Sequence, residues 1–457
     1  MPSFMEFMRR ATTGPITAEK DFLMKRLIPA IRETIKTYDI LPDAANPVST
    51  DDALADRLFQ AAYALLAKTG VYCEATNRVI ELDDREMRQD VAMFDAGKHF
   101  FGEGRDRRCF KARRPDDGNL PWLHVGAGIV ASSEEVAEAQ VEGYASLPET
   151  CSVSIPAFGR VEGMYVSGGS PLEIVAGASS VTAARKALKQ AGRPGLPIMN
   201  LLSSATTAMG TIAASHPQFG LRPSDGWLID VIPEMKVNYE TLNRLAFVEM
   251  TNGNIGSTAV PIMGGYAGGA AGTALLKTAY YILGMHLFKG CYHLTLPIHF
   301  KFGCNSLRDT LWIFSITGRA ASRNTNYPAI ALGFTAAGPC TEMYFYEAAA
   351  IIATQVVAGY AGVQTPHPAK AVLEDGITPM EAGFGVAFAK AVSGINSQKA
   401  GELVARLLEK YEAHIEHAPS GSRYSECYDL KTRLPRENYV ALYDRVCEEI
   451  AGMGLAI

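Results

Sequence analysis

The chain lacks the features that mark nucleic-acid-binding and zinc-binding proteins. It has 457 residues and a formal net charge of −5, so there is no excess of basic residues to attract a polyanion. We therefore expect no nucleic-acid partner. Its eight cysteines are scattered and form no CxxC pair, which excludes zinc ribbons and dithiol redox motifs. We predict reduced thiols, a cytoplasmic location and no metal site.

Long apolar runs are also scarce. The N-terminal stretch carries charges at Glu6, Arg9 and Arg10 and contains no apolar core of a signal peptide. Residues 258–276 form an uncharged stretch of nineteen residues, close to the length of a membrane span. Because this stretch contains Pro261 and five glycines, we interpret it as a buried strand, a glycine loop and the start of a helix. We expect no membrane association.

The chain contains no tandem repeat, low-complexity tract or flexible linker, which favours one compact body. Residues 18–145 show apolar residues at three- and four-residue spacing, most clearly at 19–38 and 52–69, a pattern typical of amphipathic helices. We therefore predict an N-terminal helical extension over residues 1–145, packed on a second part over residues 146–457. With 48% hydrophobic residues, such a chain can bury a large core without disulfides.

From about residue 150, short apolar runs rich in β-branched residues alternate with longer helical patterns. The apolar runs lie at 150–155, 197–202, 227–232, 246–250, 258–263, 294–299, 329–335 and about 355–364. The helical patterns lie at 171–192, 271–288, 306–320 and 341–358. Alternation of strands and helices indicates parallel pairing, because a parallel partner needs a crossover connection. The number of such units predicts an α/β fold, a (β/α)8 TIM-type barrel, followed by C-terminal helices over 398–452.

The stretch GGYAGGAAG at residues 264–272 stands between a predicted strand and a predicted helix. Paired glycines allow the backbone to approach a ligand closely, and the N-terminus of the following helix offers free N–H groups to an anion. Gly265 is therefore a candidate substrate-binding residue, and tight packing of helix against strand is the alternative. The stretch is not a dinucleotide-binding motif, because no acidic residue follows about twenty positions later.

A second junction, AAGPCTEM at residues 336–343, predicts the start of another helix. Pro339 suits a first helical turn, where its missing N–H costs nothing, and Glu342 is favoured there by the helix dipole. Active sites of barrel enzymes lie at the C-terminal rim, so Glu342 is a catalytic candidate and Thr341 a substrate-binding candidate. A well-capped helix start is the alternative. Cys340 has no neighbouring base in the sequence that would activate it as a nucleophile.

Charged side chains also stand near the ends of predicted strands. In LPIHFK, alternation places His299 and Lys301 on one face, which makes His299 a catalytic candidate and Lys301 a substrate-binding candidate. Asp230 alternates with other charged residues in IDVIPEMK, and Glu249 lies in the apolar run AFVEM. Both are candidate substrate-binding residues. Salt bridges along the rim of the barrel, without a role in catalysis, are the alternative explanation.

Aromatic residues are plentiful near the predicted strand–helix junctions. Tyr266 and Phe334 lie there, together with Trp312, Tyr327 and Tyr344. Most aromatic residues of this kind pack in a core. Two or three at the barrel mouth could hold a methylated ammonium group through cation–π contacts. Tyr266 and Phe334 are therefore further candidate substrate-binding residues.

Six stretches together resemble one protein family. They are GVYCEATNRVI at 70–80, GRD at 104–106, AGRPG at 191–195, PIMGGYAGG at 261–269, AAGPCTEM at 336–343 and APSGSRYSECYDLKT at 418–432. Each alone is a weak signal, but they occur in the order of the family and extend over nearly the whole chain. The sequence is therefore similar to the monomethylamine methyltransferases.

This resemblance implies a (β/α)8 barrel, a homo-oligomer, and transfer of a methyl group from a methylated amine to cobalt. The corrinoid that holds the cobalt belongs to a separate partner protein, so we expect no tightly bound cofactor in this chain. In the family, a pyrrolysine in the barrel mouth captures the amine through its electrophilic imine. Counted without gaps from AGRPG, the pyrrolysine position falls on Leu202. The stretch NGNIGSTAV also lacks the acidic residue expected near the active site of the family.

Leu202 cannot form an adduct with an amine, so it predicts a methyl donor other than monomethylamine. A quaternary ammonium or a sulfonium donor leaves as a neutral molecule and needs only desolvation and orientation. A carboxylate on such a substrate could rest on the helix after the glycine loop or on Lys301. Two alternatives remain, because fold does not determine function: a barrel that has lost catalysis and acts as a binding subunit, and an unrelated barrel lyase or hydrolase.

Overall fold

An eight-stranded parallel barrel forms the centre of the computed structural model, which describes residues 2–200 and 207–457. Its strands are β1 Trp122–Gly126, β2 Ser152–Ser154, β3 Met199–Asn200, β4 Gly226–Val231, β5 Asn254–Ala259, β6 Tyr292–Thr295, β7 Ala329–Phe334 and β8 Gly362–His367. From β3 to β8 each strand pairs in parallel with the next, β8 pairs with β1, and β1 pairs with β2. A parallel bridge between Val153 and Ile198 closes the ring between β2 and β3. The predicted (β/α)8 barrel is confirmed.

Within the described chain, eight helices follow the barrel strands and cover the outside of the barrel. They are α1 Glu134–Ala145, α2 Pro171–Gln190, α3 Ala208–Ala214, α4 Tyr239–Met250, α5 Ala270–His286, α6 Arg308–Asn324, α7 Glu342–Val357 and α8 Pro379–Val392. Nearly every residue of α5 and α7 is buried. A helix that is apolar on all sides needs cover on both faces. The helix Asp52–Thr69 packs on α5, and Ser397–Tyr411 packs on α7.

The N-terminal extension is mainly helical. Its helices are Phe4–Thr13, Glu19–Asp21, Ile28–Thr37, Asp52–Thr69 and Asp84–Ala92, with a π-helical turn at Phe22–Leu27 and 3-10 turns at Ala96–Lys98 and Gly104–Asp106. Its short strands are Val71–Cys73, Arg78–Ile80, Phe100–Phe101 and Arg108–Cys109. The predicted helix over 52–69 begins at its expected cap, because the Asp51 side chain accepts a hydrogen bond from Leu54 N. Val71–Cys73 pairs in parallel with Lys236–Val237, which joins the extension to the barrel.

The predicted C-terminal helices follow α8. They are Ser397–Tyr411 and Glu437–Gly452, with a 3-10 segment at Glu412–His417 and a short helix at Tyr424–Cys427 between them. Residues 258–276 contain the end of β5, the short strand Ile262–Met263, a glycine loop and the start of α5. No helix in the described ranges is both long and apolar enough to cross a membrane. The remaining short elements are the strands Val130–Ala131, Ala157–Phe158, Arg160–Val161, Met164–Tyr165 and Ile298–His299, and the 3-10 turn Pro368–Ala371.

Two predictions are wrong: the boundary between the N-terminal extension and the barrel, and one of the strands. The barrel begins before residue 146, because β1 and α1 both lie in the part that the helical pattern assigns to the N-terminal extension. β1 is a five-residue, fully buried strand, but its sequence, WLHVG, is interrupted by His124 and does not stand out as a continuous apolar run. The run 246–250 is not a strand but the end of α4, where Leu242, Leu245 and Val248 are buried at helical spacing. The strand that follows α4 is β5.

The C-terminal tail clamps the junction at residues 336–343. Gly338 N donates a hydrogen bond to Pro419 O at 2.8 Å. The two backbones lie so close that a Cβ atom at position 338 would overlap the carbonyl oxygen of Ser420. Two of the stretches that carry the family resemblance thus meet in one contact, which only a glycine permits.

We expect Gly338→Ala to lower the free energy of unfolding by about 1–3 kcal/mol, the usual cost of forcing an extra group into a packed site. Urea denaturation followed by circular dichroism measures the change. Gly452→Ala is the matched control, because no atom lies within 4 Å of a Cβ at that position, and it should not destabilise the protein. Equal stability of Gly338→Ala and the unmodified chain would show that this contact does not clamp the junction.

Candidate functional site

A cavity of about 260 Å³ opens at the C-terminal ends of the barrel strands, the face that carries the active site in barrel enzymes. Its lining contains residues from all eight strands or from the loops directly after them. These residues are Gly128, Ser154, Asn200, Leu228, Asp230, Thr258, Val260, Leu294, Leu296, Ile298, Leu332, Phe334, Gln364, His367 and Ala371. The cavity is therefore the candidate substrate site.

One side of the cavity is apolar. We call this side the apolar wall; it consists of Leu228, Val260, Leu294, Leu296, Ile298, Leu332 and Phe334. These residues come from β4 to β7 and the loops that follow them. Every second side chain of a strand points to the same face, which explains why Leu294 and Leu296 enter the cavity together, as do Leu332 and Phe334. The apolar wall keeps water away from one side of a bound ligand.

The other side is polar but uncharged. We call it the polar arc; it consists of Ser154, Asn200, Gln364 and His367. Ser154 Oγ donates to Asn200 Oδ1 at 2.7 Å. Gln364 Nε2 donates to Gly126 O at 3.1 Å and lies 3.1 Å from His367 Nε2. These hydrogen bonds hold the polar side chains in fixed orientations, which prepares them to contact a ligand.

His367 adds a hydrogen-bonding group to the cavity without adding a charge. Burial, with His124 nearby, lowers the pKa of His367 to about 3, so the ring is neutral at physiological pH. Because an amide nitrogen only donates, His367 Nε2 accepts from Gln364 and the ring proton is assigned to Nδ1. The ring stacks on Phe334, with centroids 5.0 Å apart.

Asp230, at the end of β4, is the one carboxylate among the described residues that line the cavity. Its side chain is 39% exposed, and its Oδ2 lies 4.0 Å from Arg244 Nη1. Burial raises the pKa of Asp230 to about 6, although Arg244 opposes the shift. At neutral pH the carboxylate is therefore ionised beside an apolar wall. A bound cation would stabilise it there.

The structure brings two of the predicted site residues into the cavity, Asp230 and Phe334. Leu202, at the predicted pyrrolysine position, lies outside the described residues, but Asn200, two positions earlier, lines the cavity. Sequence reasoning missed Asn200 and the polar pair on β8. The available signal was weak: a polar side chain inside or at the end of an apolar run.

His299 and Lys301 lie beside the cavity rather than in its lining. His299 Nδ1 accepts from Lys301 N at 3.1 Å, and its ring packs on Phe302 with centroids 4.6 Å apart. The Lys301 side chain is exposed and forms an ion pair with Glu416. Across residues 2–200 and 207–457, no group of three or more His, Cys, Asp or Glu side chains is placed to hold a metal ion.

Thr341 and Glu342 have other partners at the rim. The Thr341 hydroxyl donates to Gly338 O at 2.7 Å and accepts from Tyr344 N at 3.2 Å, so it caps α7. The Glu342 carboxylate forms an ion pair with Arg445 on the C-terminal helix. These contacts correspond to the alternative of a well-capped helix start.

The last three candidates lie away from the cavity lining. Gly265 and Tyr266 belong to the glycine loop before α5, where the Tyr266 side chain is 48% exposed. Glu249 is exposed in the last turn of α4. Since α4 returns from the mouth to the opposite end of the barrel, this turn is far from the strand ends that carry the cavity.

Comparison with known proteins relates the chain to one family. A family model described as monomethylamine methyltransferase MtmB matches residues 3–455. The chain is 30% identical to monomethylamine methyltransferase MtmB of Methanosarcina mazei over 455 residues, which cover 98% of this chain and 97% of that protein. It is also 30% identical, with the same coverage, to monomethylamine methyltransferase MtmB1 of Methanosarcina acetivorans.

Solved structures agree with the sequence comparison. The crystal structure of the Methanosarcina barkeri monomethylamine methyltransferase matches with a TM-score of 0.94 at 26% identity, covering 99% of this chain and 98% of that chain. A crystal structure of the hydroxylamine complex of MtmB matches equally well, again with a TM-score of 0.94. The similarity extends along the whole chain, so the resemblance inferred from six short stretches is confirmed.

We expect Asp230→Asn to raise the free energy of unfolding at pH 8 by about 1 kcal/mol, a modest gain because a 39% exposed carboxylate is partly screened by solvent. Folding raises the pKa of Asp230 from 3.8 to about 6, so the folded state binds the proton more tightly. The stabilisation that Asp230 contributes through this tighter proton binding is complete below about pH 4 and is lost as pH rises through 6. The gain should therefore disappear near pH 4, which urea denaturation at both pH values measures.

Glu249→Gln is the matched control for this measurement, because Glu249 is an exposed carboxylate outside the cavity. It should change the free energy of unfolding by less than about 0.5 kcal/mol at either pH. If Asp230→Asn is no more stable than the unmodified chain at pH 8, Asp230 is not a desolvated carboxylate.

Proposed function

Because the chain belongs to the monomethylamine methyltransferase family, we propose that it transfers a methyl group to the Co(I) of a corrinoid carried by a cognate partner protein. We also propose that the donor is a quaternary ammonium compound, or another donor activated by positive charge such as a sulfonium, rather than monomethylamine. The observation that carries this choice is Asp230, the one carboxylate on an otherwise uncharged lining within the described residues.

The proposed transfer is a displacement at the methyl carbon. In a quaternary ammonium donor the C–N bond breaks and its electron pair stays on nitrogen. The leaving group is therefore a tertiary amine whose nitrogen is neutral. The electron pair of Co(I) forms the new cobalt–carbon bond. A permanently charged nitrogen therefore leaves without proton transfer. Monomethylamine would need covalent activation, which Leu202 cannot supply.

The residues of the cavity would bind and orient such a donor. Asp230 attracts the positive nitrogen, and the apolar wall contacts its methyl groups. The wall also excludes water, which strengthens the attraction between the carboxylate and the cation. Phe334 presents an aromatic ring to the cavity, and aromatic faces attract ammonium groups. The cavity opens at the barrel mouth, where a partner protein can reach the donor.

Methyl transfer to a reduced corrinoid protein, followed by the cobalt absorbance, tests the proposed function. The donors to compare are monomethylamine, tetramethylammonium, choline, glycine betaine and a sulfonium compound. We expect a methyl–Co(III) signal with a quaternary ammonium or sulfonium donor and none with monomethylamine. A signal with monomethylamine alone contradicts the proposed donor. No signal with any donor, with the corrinoid shown to be reduced, contradicts the proposed transfer.

Asp230→Asn should lower kcat/KM for the active donor by about 30-fold or more, because removing one partner of a desolvated charge pair costs about 2 kcal/mol or more. The same transfer assay measures this loss. Glu249→Gln, which removes an exposed carboxylate outside the cavity, should retain the rate of the unmodified chain. Equal losses of kcat/KM in the two variants would contradict the proposed role of Asp230 in binding the donor.

The affinity for tetramethylammonium should depend on pH through Asp230. Its pKa is raised to about 6, so the affinity should be constant above about pH 7 and fall about tenfold for each unit below the pKa. Arg244 stays cationic, His367 stays neutral because its pKa is about 3, and burial lowers the pKa of His299. Asp230→Asn keeps all three groups, so its weak binding should be independent of pH. Isothermal titration calorimetry from pH 5 to 8 checks this, and the same pH dependence in Asp230→Asn would assign it to another group.

A further inference from the structure

We propose that the cavity selects a quaternary ammonium compound that carries an uncharged hydroxyl group, as choline does, over one that carries a carboxylate, as glycine betaine does. This inference rests on the proposed function, because it names the donor that the same site would accept. It depends on the placement of Asp230 opposite the β8 members of the polar arc, on an acceptor there without a partner among the described residues, and on the charges of the cavity lining.

Asp230 and the β8 members of the polar arc lie on opposite sides of the barrel mouth. β4 and β8 are four strands apart in a closed ring of eight. Asp230 lies on β4, and Gln364 and His367 lie on β8. A ligand between them therefore meets a carboxylate on one side and neutral polar groups on the other. A compact molecule with a cationic head and a polar, uncharged tail matches this division.

Gln364 offers a hydrogen-bond acceptor that no described residue satisfies. Its Oε1 atom is buried and has no hydrogen-bond partner within the described part of the chain. The amide cannot turn to present a donor instead, because its nitrogen already contacts Gly126 O and His367 Nε2. A buried carbonyl oxygen without a donor is unfavourable. A donor such as a hydroxyl group can satisfy this kind of acceptor, whereas a carboxylate cannot, because it only accepts.

The charges around the cavity also disfavour a carboxylate on the ligand. No Lys or Arg side chain belongs to the lining formed by the described residues. Arg244 already faces one carboxylate, since it lies 4.0 Å from Asp230. Lys301, the predicted partner of a substrate carboxylate, pairs with Glu416 at the surface. The glycine loop does not contribute to the lining either. A betaine carboxylate would therefore be desolvated at the polar arc without a cationic partner, which is costly.

Isothermal titration calorimetry at pH 8 with four ligands tests the selection. They are choline, glycine betaine, tetramethylammonium and 3,3-dimethylbutan-1-ol, in which carbon replaces the nitrogen of choline. We expect choline to bind at least about tenfold more tightly than glycine betaine, which lacks a hydroxyl donor, and than the neutral alcohol, which lacks the charge. Glycine betaine binding as tightly as choline overturns the inference, as does the absence of binding by all four.

Gln364→Met tests the role of the unpaired acceptor, because it keeps the length of the side chain and removes the amide. The ratio of choline affinity to tetramethylammonium affinity should fall about tenfold, and circular dichroism checks that the barrel is folded. Gln355→Met is the matched control. Gln355 is also buried, and its amide has no partner among the residues that the structure describes. It lies on α7 outside the cavity lining, so its substitution should leave the ratio unchanged. An unchanged ratio in Gln364→Met overturns the inference.

The two proposals can fail separately, because calorimetry needs no corrinoid protein. If choline binds selectively but no donor transfers its methyl group, the proposed function fails and the selection stands. If glycine betaine transfers its methyl group and binds better than choline, the proposed function stands and the selection is wrong.

Discussion

Hydrogen bonding between β2 and the segment that enters β3 completes the ring of strands. Val153 N donates to Pro197 O at 3.0 Å, and Val153 pairs with Ile198. Closure removes the free edges of the sheet and directs the inward side chains of all eight strands to one mouth. The apolar wall, the polar arc and the position of Asp230 opposite Gln364 all follow from this closure. The proposed selection of a donor therefore depends on it.

The stretches that carry the family resemblance build the scaffold rather than the cavity. Asp106 of GRD and Arg193 of AGRPG form an ion pair at 2.6 Å, just before the chain enters β3. The backbone of AAGPCTEM touches the backbone of the C-terminal tail at Gly338. Changes at such positions cost stability whatever the substrate. Asp230 and Gln364 lie outside all six stretches, so a member of the family can keep its fold while the chemistry of its cavity changes.

The carboxylates near the mouth differ in how they are satisfied. Glu347 accepts from the backbone nitrogens of Ala336 at 2.7 Å and Ala337 at 2.9 Å, and Glu381 accepts from Cys340 N at 3.1 Å. Both carboxylates accept hydrogen bonds from backbone N–H groups of the loop after β7 and thereby fix its conformation. Asp230 has no such backbone partner among the described contacts and faces the cavity instead. Under the proposed function, a carboxylate that is not held by the backbone is available to pair with the cationic donor.

The sequence by itself determined the helices, the parallel barrel and the family, because periodicity and strand–helix alternation are local properties of the chain. It also singled out Asp230 and Phe334, since a charged or aromatic residue near a strand end is visible in a linear pattern. It did not show that the barrel begins at β1, because His124 interrupts the apolar run of that strand. Only the tertiary structure decided that Glu342 pairs with Arg445, and that Gln364 stands opposite Asp230. Both depend on which distant segments folding brings within hydrogen-bonding distance, and closure of the ring decides that.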